Sequence, residues 1–351
     1  MNHYDICLIG FGNVGKAFAE LLEKKADHLQ KEYGVGFRIT AIATGSHGNA
    51  VNLHGITAAA ANAAYQHGDL ASLSTEVSED DMVSFIRASR ADFLVETSPV
   101  DYQTGEPAIM HIQSALSSGM HAVSANKGPV VHAYQALTDL AAKNRRRFLF
   151  ESAVMDGAPV FSVFREALPG AKILGFEGIL NSCTNLLIEK MESGASFDDA
   201  VAYAQSIGIA ETDPSGDIDG WDAAIKVAAL ATVLMGVPLK PQQVERTGIR
   251  AIDPAMIEQA KVEGKRWKLV CKAELDDEKI RASVQPEMVP STSPLFAVNG
   301  TSSLVVFKTD VLPGLGILES NPGPDTTAYG LLADMLNILK KIGRASCRER
   351  V

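Results

Sequence analysis

The stretch Gly10-Phe11-Gly12-Asn13-Val14-Gly15 constrains this chain most. It follows a short apolar run, Asp5–Gly10, which reads as a buried parallel strand. It opens a helix expected over Gly12–Gln30, with Val14, Phe18, Leu21 and Leu22 on one face. G-x-G-x-x-G alone is a weak signal; between a strand and a helix it acquires a mechanism. The first glycine permits a tight turn. The second lets the backbone approach a pyrophosphate, and the third lets helix and strand pack closely. The helix N-terminus adds unpaired N–H groups and partial positive charge. Such an opening predicts an α/β fold, a Rossmann-type doubly wound parallel sheet. It also predicts a dinucleotide held at Gly10, Gly12, Asn13, Val14 and Gly15.

The next segments continue the alternation. Strands are expected at Phe37–Ala43, Asp92–Glu96, His121–Ser124 and Phe148–Phe150, with a helix at Pro107–Ser117. The pattern then changes. Strands at Ile173–Leu180, Lys268–Leu275, Arg281–Gln285 and Ser303–Lys308, with helices at Phe197–Ser206 and Trp221–Met235, predict a second, α+β domain. A last helix is expected over Thr326–Leu339. The expected divisions are 1–150, 151–320 and 321–340. The eleven residues from Lys341 to Val351 read as one frame of a common sequencing adapter, and are expected to be foreign and set apart from the fold.

Charge argues against a nucleic-acid partner. The chain carries 42 acidic and 32 basic side chains, a formal net charge of −10, and its one basic run is Arg145-Arg146-Arg147. The four cysteines, Cys7, Cys183, Cys271 and Cys347, show neither a disulfide framework nor a zinc spacing. A reducing, cytoplasmic setting is expected. The polar start Met-Asn-His-Tyr-Asp is unlike a signal peptide, and no long apolar run predicts a membrane span.

The dinucleotide's identity is harder to read. An acidic residue normally ends the second strand and binds the ribose hydroxyls. Here that strand runs into Thr44-Gly45-Ser46-His47-Gly48, with neither a carboxylate nor an arginine. NAD and NADP both stay open. Ser46 and His47 tilt the reading towards NADP, as partners for a 2′-phosphate.

All eight histidines lie at or before His132, so a proton-transfer group in the second domain must be a lysine or a carboxylate. Between Glu211 and Asp222 stand five carboxylates, followed by Lys226. Asp222 and Lys226 are four apart on a predicted helix, hence neighbours on one face. That face continues into Ala229, Leu230 and Val233. Spacing leaves two readings open: a wet surface ion pair, or a semi-buried lysine tuned for acid–base work. Lys127, in Ser124-Ala-Asn-Lys-Gly-Pro, follows a strand at the carboxyl end where open α/β sheets bind ligands. It is either such a ligand group or a solvated loop lysine.

With these residues in view, the chain resembles the homoserine dehydrogenase family from Ile6 to Leu339. The motif Ala-Glu-x-Asp-Pro…Asp-x-x-Gly-x-Asp-x-x-x-Lys runs from Ala210 to Lys226, and the family's Asn-Lys pair falls on Asn126-Lys127. The resemblance implies NAD(P)-dependent hydride transfer between L-homoserine and L-aspartate 4-semialdehyde. It implies Lys226 and Lys127 as catalytic lysines, with Asp222 holding Lys226. It puts Glu211, Asp217, Thr184 and Cys183 at the substrate, and adds Thr44, Thr97, Lys127 and Gly323 to the cofactor contacts. The turn Glu151-Ser-Ala-Val154-Met-Asp156-Gly-Ala158-Pro is similar to a family turn that binds a monovalent cation through backbone carbonyls. A homodimer built on the second domain, and a last helix returning to the first, are also implied.

Two departures bear on the substrate. The family's Asn-Gly-Thr-Thr-Asn loop is Asn181-Ser-Cys183-Thr184-Asn185, and Ile209 replaces a tyrosine. A dehydrogenase of another small hydroxy amino acid, or a non-catalytic dinucleotide-binding sensor, are the alternatives.

Overall fold

A computed structural model describes residues 2–76, 81–276 and 279–348, with the helical backbone alone for 341–348. The tail expected to be foreign, 341–351, thus lies outside the described side chains. The chain divides into two compact units, Met1–Gly157 with Gly323–Val351, and Ala158–Pro322.

The first unit follows the order β1 (Asn2–Ile9), α1 (Asn13–Tyr33), β2 (Val35–Ala43), β3 (Asn49–Val51), α2 (Ala58–Gln66), α3 (Met82–Ala88), β4 (Phe93–Glu96), α4 (Ala108–Ser117), β5 (His121–Ser124), α5 (Lys127–His132), α6 (Tyr134–Lys143) and β6 (Phe148–Leu149). Its six-stranded sheet has the order β3-β2-β1-β4-β5-β6. All pairs are parallel except β2 with β3. The chain winds outward from β1 to β3, then crosses back to lay β4 on β1's other side. The carboxyl ends of β1 and β4 therefore flank the point where the winding reverses, where open α/β sheets receive ligands. Ile6, Leu8, Ile42, Phe93 and Val95 are fully buried in the core beneath it.

The second unit contains α7 (Val160–Ser162), β7 (Ile173–Ile179), α8 (Ser182–Glu192), α9 (Phe197–Ser206), α10 (Ser215–Ile218), α11 (Trp221–Leu234), β8 (Glu245–Arg246), α12 (Pro254–Val262), β9 (Lys265–Asp276), β10 (Lys279–Pro290), β11 (Ser303–Thr309) and β12 (Leu315–Glu319). Its sheet has the order β12-β11-β7-β9-β10-β8, antiparallel except where β8 joins β10. Segment Asn181–Asn185, read as a loop, instead starts a helix. Asn181 Oδ1 accepts the Thr184 N–H at 2.8 Å and caps α8. Cys183 to Ile188 are all buried, so no polar stripe marked that turn as helical. Helix α11 is buried from Asp222 to Thr232 apart from Lys226.

Helix α13 (Pro324–Arg348) belongs to the first unit, where Leu331, Leu332, Met335 and Ile338 join the core with α1. It also holds residues 151–157, which the sequence reading put in the second domain. The Glu151 N–H donates to Asp334 Oδ2 at 2.7 Å, and Ser152 Oγ donates to the Thr327 carbonyl at 2.8 Å. The Thr327 hydroxyl donates to Asp156. These bonds lie more than 170 positions apart in sequence, which is why local patterning placed the boundary too early.

Candidate functional site

The glycine turn forms between β1 and α1. The Gly10 N–H donates to the Ala43 carbonyl at 2.8 Å, and Gly10 has φ +92°, a conformation that favours glycine. A Cβ there would stand 2.6 Å from the Thr97 carbonyl carbon. A Cβ on Gly15 would stand 2.4 Å from the Gly10 oxygen, so helix and turn touch backbone to backbone. Above Gly12 the space is open. Gly12 is the N-cap of α1 and supplies no side-chain acceptor, so the first-turn N–H groups of Asn13 and Val14 lack a side-chain cap. An open cradle over uncapped N–H groups fits a pyrophosphate. Thr97 holds the turn from below: its hydroxyl donates to the carbonyls of Ile9 (3.1 Å) and Gly10 (2.8 Å).

At the end of β2, Thr44 closes a tight turn by donating from Oγ1 to the Gly48 carbonyl at 3.0 Å and accepting the His47 N–H at 2.9 Å. Ser46 Oγ lies 2.7 Å from His47 Nδ1. The His47 ring stacks on Tyr65 with centroids 4.0 Å apart, and Lys16 Nζ lies 3.8 Å from that same Tyr65 centroid. Sequence reasoning missed Lys16 and Tyr65. A basic residue directly after the third glycine was the available signal for the first; nothing local marked the second.

Lys127 is the first residue of α5 and half-buried at the carboxyl end of β5. Asn126 caps that helix, accepting the Gly128 N–H at 2.9 Å, and donates from Nδ2 to the carbonyls of Ser98 (3.0 Å) and Pro99 (3.1 Å). The carboxyl end of β4 is fixed by a buried pair. Glu96 Oε2 meets His111 Nδ1 at 2.7 Å, and Glu96 Oε1 accepts the Ser98 N–H at 2.7 Å. Gly323 accepts the N–H groups of Thr326 and Thr327 at 3.1 Å, opening α13.

In the second unit the acidic segment folds onto the end of β7. Lys226 Nζ donates to the Leu180 carbonyl at 2.7 Å and lies 3.1 Å from Asp222 Oδ2. Their side chains are only 13% and 12% exposed, so the wet surface pair is ruled out. Asn181 Nδ2 donates to Asp217 Oδ1 at 2.6 Å and to Asp222 Oδ2 at 3.0 Å. Burial, then the Asp222 charge, push the Asp217 carboxyl up to about 6, against opposing bonds from Asn181 and the Lys226 charge. The Cys183 thiol is buried beside Asp217; burial and that carboxylate raise it far above the thiol range, so it stays an uncharged S–H. The Thr184 hydroxyl is buried and donates to Asn181 Oδ1 at 2.8 Å. Glu211 is not in this cluster: it is exposed in the loop between α9 and α10, and its backbone carbonyl accepts from Gln205 at 3.1 Å. Lys226, Asp222, Asp217 and Cys183 are thus brought together. Leu180 was missed because a backbone carbonyl has no sequence signature, and Asn181, which acts through its side chain, was read only as the start of a loop.

The turn at Glu151, Val154 and Asp156 has φ +41° at Asp156 and a buried Glu151. Among the described residues no group of three or more His, Cys, Asp or Glu could hold a metal ion. No helix among them is long and apolar enough to cross a membrane.

A Rossmann-type turn shaped for a pyrophosphate, in one chain with a buried ammonium among carboxylates, places the protein among NAD(P)-dependent oxidoreductases acting on a CH–OH group. Residues 10–151 match the model of the homoserine dehydrogenase NAD binding domain, and residues 159–336 match that of homoserine dehydrogenase itself. The NAD(+)-dependent homoserine dehydrogenase of Pseudomonas canavaninivorans is 35% identical over 96% of this chain and 97% of its own. A homoserine dehydrogenase structure from Archaeoglobus fulgidus, described as putative, superposes with a TM-score of 0.83 at 28% identity, covering 95% of this chain and 99% of that one. A hyperthermophilic archaeal homoserine dehydrogenase in complex with NADPH gives a TM-score of 0.81 at 30% identity, covering 97% and 98%. The chain belongs to the homoserine dehydrogenase family. Its reaction is the NAD(P)-dependent interconversion of L-homoserine and L-aspartate 4-semialdehyde.

The raised Asp217 has a consequence for stability. The folded chain keeps this proton up to about pH 6, whereas an ordinary aspartate releases it near 3.8. Between those values the folded state binds more protons, so stability falls as pH rises through that window. Asp217→Asn is expected to stabilise the fold by about 1–3 kcal/mol near neutral pH, with the gain vanishing at acid pH. Urea unfolding at both pH values measures this; an unchanged or lower midpoint at neutral pH contradicts it.

Proposed function

We propose that Lys226 exchanges the proton of this reaction, and that Lys127 is a second catalytic lysine. The observation carrying this is the Lys226 ammonium, fixed 2.7 Å from the Leu180 carbonyl and 3.1 Å from Asp222. The dinucleotide, when bound, supplies or accepts the hydride. In reduction, Lys226 gives a proton to the aldehyde oxygen as the carbonyl π bond breaks and a C–H bond forms. In oxidation, the hydroxyl proton returns to the lysine. Asp222 holds the ammonium in line. Asp217 takes the substrate's amino group, Cys183 and Thr184 shape the pocket floor, and Glu211 stands apart on the loop between α9 and α10. General acid–base groups contribute about 100- to 10,000-fold. Lys226→Ala and Lys127→Ala are each expected to lower kcat by about 100-fold or more. Nicotinamide absorbance with homoserine as substrate, and with serine and threonine for comparison, reads this out. Near-normal turnover in either variant removes that lysine from the chemistry.

We infer a preference for NADP. Support comes from the β2 end, which has no carboxylate to bind ribose hydroxyls but sets His47, bonded to Ser46, and the Lys16 ammonium against Tyr65. A charged hydrogen bond to a 2′-phosphate contributes about 1.5–3 kcal/mol. Lys16→Ala should therefore lower kcat/KM for NADP roughly 10- to 100-fold and leave NAD nearly untouched. Equal losses with both cofactors would contradict the assignment.

The same reading includes a homodimer formed through the second unit, where Leu318 on β12 and Val311 beside β11 stand 60% and 65% exposed. It also includes a cytoplasmic setting, which suits the free, buried thiols of Cys7, Cys183 and Cys271. A monovalent cation on the carbonyls of Glu151, Val154, Asp156 and Ala158 has a structural role in this reading and takes no part in the proton step.

A further inference from the structure

Asp217 and Asp222 are two buried carboxylates beside one lysine, and one amide lies between them. Two like charges at close range raise each other's proton affinity, so one of the two is drawn towards its neutral acid. Protonation of Asp222 would remove the counter-charge that holds Lys226. The structure meets this with a single side chain. Asn181 has two amide hydrogens, and each is given to a different carboxylate, at 2.6 Å to Asp217 and 3.0 Å to Asp222. The orientation of that amide is fixed by chemistry. Its oxygen accepts the backbone N–H of Thr184 at 2.8 Å, and a backbone N–H only donates, so the nitrogen must face the acids. The Thr184 hydroxyl adds a second bond to the same oxygen at 2.8 Å. Asn181 is itself 3% exposed.

We infer that Asn181 is the positioning residue of this site: its carboxamide lets both carboxylates stand as anions beside Lys226, and so sets how far into acid the enzyme works. The inference rests on the proposed role of Lys226. The groups bearing on the pair are Cys183 from α8, Asp217 from α10, Asp222 and Lys226 from α11, and Cys271 from β9. Both thiols are pushed up by burial, so the lysine is the cation and Asn181 the neutral donor of the group. Asn181 bonds lower the proton affinity of Asp217 while Asp222 raises it. Loss of the donor therefore moves the pair towards protonation, and the acid limb of activity towards neutral pH.

The test compares pH profiles of kcat/KM for the purified full chain with saturating dinucleotide. Asn181→Asp keeps an acceptor for the Thr184 N–H, so the cap on α8 survives, but it replaces the donor with a third anion. Asn181→Ser also keeps a capping oxygen, adds no charge and loses the bridge; it decides the matter if the aspartate variant does not fold. The acid limb is expected to rise by about one pH unit or more in Asn181→Asp, and by less in Asn181→Ser. A uniform drop in rate with an unmoved profile would make Asn181 a structural cap only and overturn the inference. Lys226→Ala separates the two levels. If that variant keeps turnover, the site assignment itself fails. If it loses turnover while the Asn181 variants keep the native profile, only the role of Asn181 fails.

Discussion

The second unit is organised around the cost of burying one ammonium. Removing a lysine head group from water costs several kcal/mol unless partners replace the lost hydration. Four elements converge at Lys226. The end of β7 turns the Leu180 carbonyl towards Nζ, helix α11 brings Asp222 one turn away, and the first residues of α8 and α10 add Asn181 and Asp217. Lys268 shows a different use of the same chemistry. It is fully buried, unlike Lys226, and pushed down to about 8 by burial, and its Nζ bonds Asn185 Oδ1 at 2.8 Å and the Val298 carbonyl at 2.5 Å. Neutral acceptors hold Lys268, whereas a carboxylate, Asp222, and the Leu180 carbonyl hold Lys226.

The first unit solves a different problem, that of presenting backbone donors to an anion without a charged side chain. Close packing of Gly15 against Gly10 sets the helix axis, and the Thr97 hydroxyl stiffens the carbonyls behind the turn. The winding reversal between β1 and β4 leaves that helix end uncovered. Nearby, Asn126 ties the loop after β4 to the start of α5, so the position of Lys127 is set by hydrogen bonds to Ser98 and Pro99.

Much of the first unit was legible in the sequence because its signals are local. An apolar run, three spaced glycines and an amphipathic helix sit within about thirty positions of one another, and the strand His121–Ser124 appears as expected. The second unit was legible in its longer strands and in α9 and α11. Helix α8 was hidden because its opening turn is buried on all sides, and the edge strand β12 because glycine interrupts its alternation. In the site, the four-residue spacing of Asp222 and Lys226 was visible, but whether the pair is wet or buried depends on β7 and α8 packing over it. Leu180 acts through its carbonyl, and Lys16, Tyr65 and His47 meet only once β2 and α2 are folded. Local spacing carries none of that information.

The central claim is that the buried ammonium faces the oxygen that changes between alcohol and aldehyde. A crystal structure of the chain with a dinucleotide and homoserine bound tests it most directly. The account predicts Lys226 Nζ within hydrogen-bond reach, about 2.6–3.2 Å, of the substrate hydroxyl, with Asp222 still on its other side. A hydroxyl bonded elsewhere, with Lys226 still held only by Leu180 and Asp222, would contradict it.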